Sequence, residues 1–397
     1  MRSVEIFSGA AGLGLGLSQA GFHHEVVIEH NRAACDTIRY NQARDHALVR
    51  GWRVLEADVE SVDLSQIRAE PDLLAGGPPC QEFSAGGKHK GAAGERNMWP
   101  WTIQATRILR PRAFVFENVP GLASRHAEYL EYLKLALSAP ELANPTVEDW
   151  MEDAAFLRQA IASGVASAPT YRVSVEKMVA TDYGTAQKRS RIFVVGIRSD
   201  VTGEWRTPAQ SHSHERLMDD KWINGSYWER HGLQRPEIDE AGVRYLRQHN
   251  QRGFDDLFAT PLRAHRTVRD AIGDLPDPAT GLTTNHADHE AAPREARVYK
   301  GHTGSPVDEP SKTLRAGVHG VSGGENLVDY GPDANEDRYR HFTVREAARL
   351  AGFPDDYHWP KDGPISTRWS QGLAQIGNCV PLEMAKAVGE SVVTAIK

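Results

Sequence analysis

Residues 4–22 read VEIFSGAAGLGLGLSQAGF and run from an apolar segment through a turn of small residues into a helical pattern. The turn, from Ser8 to Gly12, lets a ligand approach the backbone, and the N-terminus of the following helix adds a favourable field. Its glycine spacing is not G-x-G-x-x-G, so the turn alone does not indicate a dinucleotide. The stretch predicts a strand, a turn and a helix, with the turn either binding a ligand or serving only as a tight connection.

The alternation of strands and helices continues along the first half of the chain. Apolar runs lie at 24–30, 71–78 and 112–118 with helical patterns between them, and two further β-rich runs lie at 171–184 and 189–198. This spacing is typical of βαβ units and of a sheet that is covered on both faces. We therefore predict an α/β fold with a doubly wound sheet.

Composition is that of a soluble globular protein, with 40% hydrophobic and 25% charged residues in a chain of 397. The net charge of -7 argues mildly against a polyanionic ligand. Local clusters argue the other way: residues 187–206 hold five basic residues against two acids, and residues 261–269 hold three arginines and no acid. The pattern indicates a mostly acidic protein with a basic cleft.

Three cysteines, Cys35, Cys80 and Cys379, lie far apart with no C-x-x-C pair. This excludes a disulfide framework and a cysteine-rich zinc site, and indicates a reducing compartment. No apolar run approaches the length of about 18 residues that a membrane span needs, and none resembles a signal peptide. We expect a cytoplasmic protein.

The histidine pairs give no metal prediction. The pairs are His212 and His214, and His286 and His289. No carboxylate or cysteine lies near either pair at a convincing spacing for a metal ligand.

Two acids follow predicted strands. Glu29 ends the second, where a carboxylate can accept hydrogen bonds from ribose hydroxyls, and Asp58 follows the third. Ligands of such sheets bind outside the carboxyl ends of the strands. The turn and both acids therefore predict one nucleoside-like site.

Cys80 lies in the stretch LLAGGPPCQEFS, residues 73–84. Pro78 and Pro79 stiffen the backbone before it, and the residues after it are polar and small, so a thiolate there can be reached by substrate. We interpret Cys35 and Cys379 as small buried fillers. Cys80 is the candidate nucleophile.

Glu117 and Asn118 end the next predicted strand, and neighbouring strand ends of such a sheet open on the same side. Glu117 is therefore expected to share a cleft with Cys80, unless it only caps the following helix. Gln187, Arg189 and Arg191 alternate, which on an extended strand would place a row of donors on one face. The alternative is a solvated, charged edge strand.

From residue 199 to 340 the sequence becomes rich in Pro, Gly, His, Asp and Asn, which is typical of loops that carry recognition. Helical spacing returns afterwards. We predict a catalytic domain at 1–200 completed by 370–397, a second domain at 201–340, and a connecting segment at 341–369.

Taken together, the chain resembles the cytosine-5 DNA methyltransferase family, of the prokaryotic type found in restriction–modification systems. The matching blocks are FSGAAGLGLGLSQAGF, GGPPCQEFS, ENVPGL, QKRSR, REAARLAGFPDDY and IGNCVPLEMAKAVGE. In the first block, Glu5 and Ala11 stand where the family usually has Asp and a second Gly.

The resemblance implies S-adenosylmethionine as cofactor, bound by a Rossmann-like domain, and a target-recognition domain at 201–340. Phe7 would stack on the adenine, Glu29 would bind the ribose and Asp58 the adenine amino group. The remaining implied cofactor residues are Gly9, Gly12, Pro79, Asn378 and Val380.

For catalysis the resemblance implies attack by Cys80 on carbon-6 of a flipped-out cytosine. Glu117 would hold ring nitrogen 3 and the exocyclic amine, and Arg191, supported by Arg189, would donate to oxygen 2. The implied substrate-binding residues are Gln81, Ser84, Lys88, Asn118 and Gln187. The loop after Cys80 is expected to close over the DNA.

The expected partner is double-stranded DNA, with a companion restriction endonuclease acting in the same system, and the protein is expected to be a nucleoid-associated monomer. A tRNA cytosine-5 methyltransferase and a catalytically inactive DNA-binding paralogue are the alternatives. A thiol-dependent redox enzyme is disfavoured because no resolving cysteine lies near Cys80.

Overall fold

The computed structural model describes residues 1–79, 97–145, 149–164, 170–249, 262–280, 287–298, 300, 303–316 and 324–397. Its main sheet has seven strands. These are β1 (Arg2–Ile6), β2 (His23–Glu29), β3 (Arg53–Glu56), β4 (Leu73–Gly76), β5 (Ala113–Asn118), β6 (Tyr171–Val179) and β7 (Ser190–Arg198). Their order is β3-β2-β1-β4-β5-β7-β6, and β7 runs antiparallel to both neighbours. The α/β prediction is confirmed.

The order of the strands reverses between β1 and β4, which pair with each other in parallel. Helices leave β1 and β4 toward different sides at such a point, so a crevice opens above their carboxyl ends. The turn at Ser8–Gly12 and the approach to Cys80 both begin at this crevice.

Thirteen α-helices are formed by the described residues. They are α1 (Gly12–Gln19), α2 (Arg32–Gln42), α3 (Trp99–Leu109), α4 (Gly121–Arg125), α5 (Ala127–Ser138), α6 (Trp150–Ala162), α7 (His214–Met218), α8 (Ser226–Arg230), α9 (Glu240–His249), α10 (Val268–Ile272), α11 (Val344–Leu350), α12 (Ile365–Asn378) and α13 (Leu382–Ile396). None of them is both long and apolar enough to cross a membrane.

Both faces of the sheet are buried, because successive side chains of a strand point to opposite faces. Phe114 and Phe116 of β5 pack on the face covered by α3 and α5, whereas Val115 packs on the face covered by α1 and α13. Val27 of β2 belongs to a third apolar cluster, shared with α2, α11 and α12. The sheet is therefore enclosed by helices, as a doubly wound fold requires.

The region after residue 199 forms several small elements rather than one compact body. Besides α7–α10 it contains the paired strands β8 (His212–Ser213) and β9 (Arg263–Ala264) and the sheet of β10 (Ser305–Pro306), β11 (Leu327–Asp329) and β12 (Tyr339–His341). Residues 217–245 contribute a core of their own, centred on Trp222, Tyr227 and Trp228.

Other parts of this region join the main body. Val268, Ile272 and Leu314 pack in the same cluster as Ile38 of α2, together with α11 and α12. The domain boundaries at 201 and 340 remain a prediction. Within this region, residues 217–246 form a separate apolar cluster, which is linked by side-chain bonds to residues 267–309. The segment 341–369 also contributes to the core, because α11 is buried in the apolar cluster that it shares with α2 and α12.

The contact of α1 with α13 depends on glycine. A Cβ atom on Gly16 would lie 2.5 Å from the Ala385 Cβ and 2.6 Å from the Leu382 carbonyl oxygen. A Cβ on Gly12 would lie 2.6 Å from the Cys379 Cβ. The two helices therefore approach each other more closely than any side chain at these positions allows.

Replacing Gly16 by Ala tests this approach. Overpacking costs about 1–3 kcal/mol, and the gain in helix propensity offsets at most about 1 kcal/mol of it. We expect Gly16→Ala to lower the melting temperature by a few degrees, measured by differential scanning calorimetry. Gln19→Ala, at an exposed position of α1, should leave it unchanged. Equal melting temperatures for both variants would contradict the packing.

A fully buried carboxyl lies in the middle of β1. The Glu5 Oε2 is 3.4 Å from the His24 Nε2, and both side chains are inaccessible to solvent. The His24 ring also contacts the Ser3 hydroxyl and the Gly14 carbonyl. Burial raises the pKa of Glu5 to about 8, with a further rise from the nearby Glu29, and burial lowers the pKa of His24 to about 4. Both groups are therefore neutral at pH 7.

The pair makes stability depend on pH. The Glu5 carboxyl ionises near 4.5 in the unfolded chain but near 8 in the folded one, so the free energy of unfolding falls as pH rises through this window. Glu5→Gln has no group to ionise here, so its free energy of unfolding should not fall in this way. The melting temperature of the variant relative to the wild type should therefore rise as the pH is increased from about 6.5 to about 8. His24 is neutral in the folded protein throughout this window, and its ring is present in both proteins being compared. The control variant Glu390→Gln, at an exposed position, should show no such trend. If the melting-temperature difference between Glu5→Gln and the wild type did not change with pH, the raised pKa of Glu5 would be refuted.

Candidate active site

The turn after β1 has an unusual backbone. Phe7, Gly9 and Ala11 have φ angles of 56°, 54° and 71°, which lie in the left-handed region. Such angles cost about 1–2 kcal/mol in a residue with a Cβ, so they persist only where the surroundings hold them. Nothing lies within 4 Å of where a Cβ on Gly9 would stand. The turn therefore presents its backbone to open space, as a ligand site at this place requires.

Glu29 fixes the turn from the side of β2. It is 5% exposed, and its carboxylate accepts hydrogen bonds from the backbone N–H groups of Gly9 at 2.8 Å and Asn31 at 2.7 Å. A carboxylate oxygen has a second lone pair, so Glu29 can also accept from a ligand hydroxyl. The largely exposed His30 imidazole lies 3.2 Å from the same carboxylate. Sequence reasoning missed His30, although it directly follows Glu29.

Asp58 stands just beyond β3. Its carboxylate accepts from the backbone N–H of Glu60 at 3.1 Å and so caps a short 3₁₀ helix at Val59–Ser61, and the residue is exposed. The Trp101 indole donates to the Glu60 carboxylate at 2.7 Å. Trp101 is a second neighbour of the site that the sequence did not single out.

Residues 378–380 reach the turn from the other end of the sequence. A Cβ on Gly12 would lie 2.6 Å from the Val380 carbonyl oxygen, Val380 is buried, and Asn378 is exposed at the end of α12. The Cys379 thiol between them donates to the Ile376 carbonyl, and burial raises its pKa to about 12. Cys379 is a buried filler, as expected, and Cys35 is buried as well.

The backbone that leads to Cys80 is held by β5. The Asn118 side-chain amide donates to the Pro78 carbonyl at 3.2 Å, and its oxygen accepts from the Val119 N–H at 2.9 Å. A Cβ on Gly77 would lie 3.3 Å from the Glu117 Oε2. The chain at 77–79, including the half-buried Pro79, therefore passes directly beside Glu117. Four predicted residues, Cys80, Gln81, Ser84 and Lys88, lie outside the described residues.

Glu117 and Arg191 form an ion pair at the open end of the sheet. Glu117 ends β5 next to Asn118, and Arg191 lies near the start of the antiparallel β7. Each side chain is about nine-tenths buried, and Arg191 also donates to the Ser190 carbonyl at 2.8 Å. A guanidinium has five N–H donors, so the pair can bind further acceptors and donors of a ligand.

Gln187 and Arg189 are used differently from Arg191. Because β7 begins at Ser190, the two residues precede the strand and are 1% and 2% exposed. The Arg189 guanidinium donates to the carbonyls of Leu314 at 3.1 Å and Gly377 at 2.7 Å, and the Gln187 side chain accepts from the Leu314 N–H at 3.2 Å. These two side chains, one a donor and one an acceptor, thus join three distant segments of the chain.

The histidines have ordinary structural partners. His212 packs against Gly184 and contacts the Ser211 hydroxyl, and burial lowers its pKa to about 4. His289 contacts the Thr343 hydroxyl and the Pro276 carbonyl. His214 belongs to α7, and His286 lies outside the described residues. The part of the chain that the structure describes contains no cluster suited to a metal ion.

Known proteins match both the sequence and the fold. Two type II methyltransferases, M.PspPI of Psychrobacter sp. (strain TA137) and M.Eco47II of Escherichia coli, are each 28% identical over 98% of this chain and 78% of theirs. The Dnmt2 methyltransferase of S. pombe has the same fold, with a TM-score of 0.58 at 15% identity over 99% of this chain and 98% of its own.

The family profile described as C-5 cytosine-specific DNA methylase matches residues 1–139 and 158–394. This confirms the resemblance and the prediction of a DNA (cytosine-5)-methyltransferase, and it does not favour the tRNA-modifying or inactive alternatives. The chain belongs to the C-5 cytosine-specific DNA methylase family.

Proposed function

We propose that the site transfers a methyl group from S-adenosylmethionine to carbon-5 of a cytosine rotated out of duplex DNA, with Cys80 as nucleophile. One observation carries the proposal: the Glu117–Arg191 pair lies beside the backbone at 77–79 that leads to Cys80. The same crevice holds the turn at 7–12. The backbone that precedes the proposed nucleophile, the acid and the cofactor turn therefore border one cleft.

The residues at the strand ends fit S-adenosylmethionine. The open side of Gly9 leaves room for a ligand against the backbone, and the buried Glu29 carboxylate suits a ribose hydroxyl. We assign adenine stacking to Phe7 and the adenine amino group to Asp58. Packing against the cofactor is assigned to Gly12, Pro79, Asn378 and Val380. The bound cofactor would supply an electrophilic methyl group.

Cys80 would make carbon-5 of cytosine nucleophilic. The ring is a poor nucleophile because its aromatic electrons are not available. Addition of the Cys80 thiolate forms a sulfur–carbon bond at carbon-6 and moves an electron pair to carbon-5, which can then take the methyl group. A base next removes the proton from carbon-5, and that electron pair expels the thiolate. The base is a group that the described residues do not identify.

Glu117 and Arg191 would stabilise the ring as charge develops. Glu117 can hold nitrogen 3 and the exocyclic amine, and Arg191 can donate to oxygen 2. Their ion pair would hold both side chains in place before substrate arrives. Arg189 would support this arrangement through the Gly377 carbonyl and Gln187 through the Leu314 N–H, and Asn118 would position the backbone before Cys80 through the Pro78 carbonyl.

The DNA would be read by the region at 201–340, with Gln81, Ser84 and Lys88 contacting the target strand. A stacked base cannot be attacked on its ring face, so it must leave the duplex at a cost of about a few kcal/mol. We further propose a companion restriction endonuclease, a monomeric state and association with the nucleoid.

The central test is methyl transfer in vitro. Purified protein with tritiated S-adenosylmethionine should label cytosine in duplex DNA but not in tRNA, and Cys80→Ala should abolish labelling while still binding the cofactor. Duplex DNA containing 5-fluorocytosine should trap a covalent adduct, because fluorine blocks the elimination step. Cys35→Ala keeps Cys80 and should still form the adduct. Full turnover by Cys80→Ala would refute the mechanism.

The role of Glu117 has a separate test. Glu117→Gln keeps the shape of the side chain but loses the charge that stabilises the protonated ring, so kcat should fall by about 10²–10³-fold. Affinity for duplex DNA, measured by fluorescence anisotropy, should change little. Glu131→Gln, on the exposed face of α5, is the matched control and should keep full kcat. A Glu117→Gln enzyme with wild-type kcat would exclude this role.

A further inference from the structure

The block REAARLAGFPDDY, residues 345–357, has a partner in the structure that the proposed mechanism does not use. Its last residue, Tyr357, is fully buried, and its hydroxyl donates to the Ala10 carbonyl at 3.2 Å. Ala10 is the middle residue of the Ser8–Gly12 turn. A side chain from the far end of the sequence thus binds the backbone where the cofactor is expected.

The turn needs such a contact because of its backbone. Phe7, Gly9 and Ala11 all have positive φ angles, and two of them carry a Cβ. Within the turn, the Ala11 N–H donates to the Ser8 carbonyl at 3.1 Å. From outside, the Glu29 carboxylate accepts from Gly9, while Tyr357 donates to Ala10. The turn is therefore held by an acceptor on one flank and a donor on the other.

Tyr357 is itself held rigidly. The Arg345 guanidinium is fully buried and donates to the carbonyls of Pro354 at 3.1 Å and Tyr357 at 2.9 Å. The Asn41 side chain on α2 bonds both the N–H and the carbonyl of His358, each at 2.8 Å. The main chain before and after Tyr357 is thus held by side chains of α11 and α2.

The phenol ring has no freedom to turn away from the contact. Phe353, Trp359 and His46 surround it at ring-centroid distances of 5.4–5.7 Å. Burial raises the pKa of the Tyr357 hydroxyl above its usual range, so it remains a donor at every working pH. The bond to Ala10 is therefore a permanent part of the fold.

We propose that Tyr357 is a positioning residue for S-adenosylmethionine: it holds the Ala10 carbonyl so that Gly9 and Ala11 keep the backbone that the cofactor meets. The inference rests on the proposed cofactor site. Tyr357 touches neither the cofactor nor the cytosine in this role. It acts on affinity for the cofactor, and the chemical step is left unchanged.

Tyr357→Phe removes one oxygen and keeps the ring. Without DNA, calorimetric titration should give a Kd for S-adenosylmethionine and S-adenosylhomocysteine that is about three- to tenfold higher, as expected for one lost hydrogen bond. In the methyl-transfer assay KM for the cofactor should rise by the same factor. The kcat at saturating cofactor and the Kd for duplex DNA should stay within about twofold.

Tyr171→Phe is the matched control. Tyr171 is also a buried tyrosine whose hydroxyl donates to a backbone carbonyl, that of Pro111 at 2.9 Å, but it lies at the start of β6, away from the turn. Removal of the Tyr171 hydroxyl should lower the melting temperature of the protein about as much as Tyr357→Phe does. The Kd for the cofactor should stay at the wild-type value.

Hydrogen exchange gives a second measurement that does not depend on activity. Peptides covering Ser8–Gly12 should exchange faster in cofactor-free Tyr357→Phe than in the wild type, and Tyr171→Phe should show no change there. An unchanged cofactor Kd in Tyr357→Phe, or an equal rise in Tyr171→Phe, would overturn this inference alone. A wild-type protein that does not bind S-adenosylmethionine would overturn the proposed function as well.

Discussion

The left-handed turn from Phe7 to Ala11 is the constraint on which the rest of the site depends. Its backbone cannot relax into an ordinary conformation, because Glu29 accepts from Gly9 on one side and Tyr357 donates to Ala10 on the other. The switch of strand order between β1 and β4 then places this turn next to the backbone that leads to Cys80. Strain in the turn is tolerated because the surrounding elements are rigid.

The sequence allowed the strands, their carboxyl-end acids and the ligand cleft to be predicted, because each depends on local patterns and one topological rule. It did not reveal that Tyr357 reaches Ala10 or that Arg189 binds Gly377, since these partners are separated by most of the chain. A donor row at 187–191 was a fair expectation from alternation. Gln187 and Arg189 precede β7, which begins at Ser190, and both are buried against Leu314 and Gly377.

Arginine in this protein serves largely as an internal crosslink. Arg345 and Arg189 are almost inaccessible to solvent and bind backbone carbonyls of other segments, and Arg191 is paired with Glu117. A planar guanidinium offers five donors in a fixed fork, so it can satisfy several carbonyls at once in a defined geometry. The basic character of residues 187–206 is therefore only partly available to a DNA phosphate. The count of charges along the sequence overstates the electrostatic attraction that the surface can offer.

The close contact of α1 with α13 has a consequence for biosynthesis. Gly16 is covered by residues 382–385, so the glycine face of α1 stays open until those residues have been synthesised and have folded back onto it. Contacts between such distant segments form slowly, and intermediates that lack them expose apolar surface and aggregate readily. A nascent chain of this protein should therefore be prone to aggregation until α13 docks against α1.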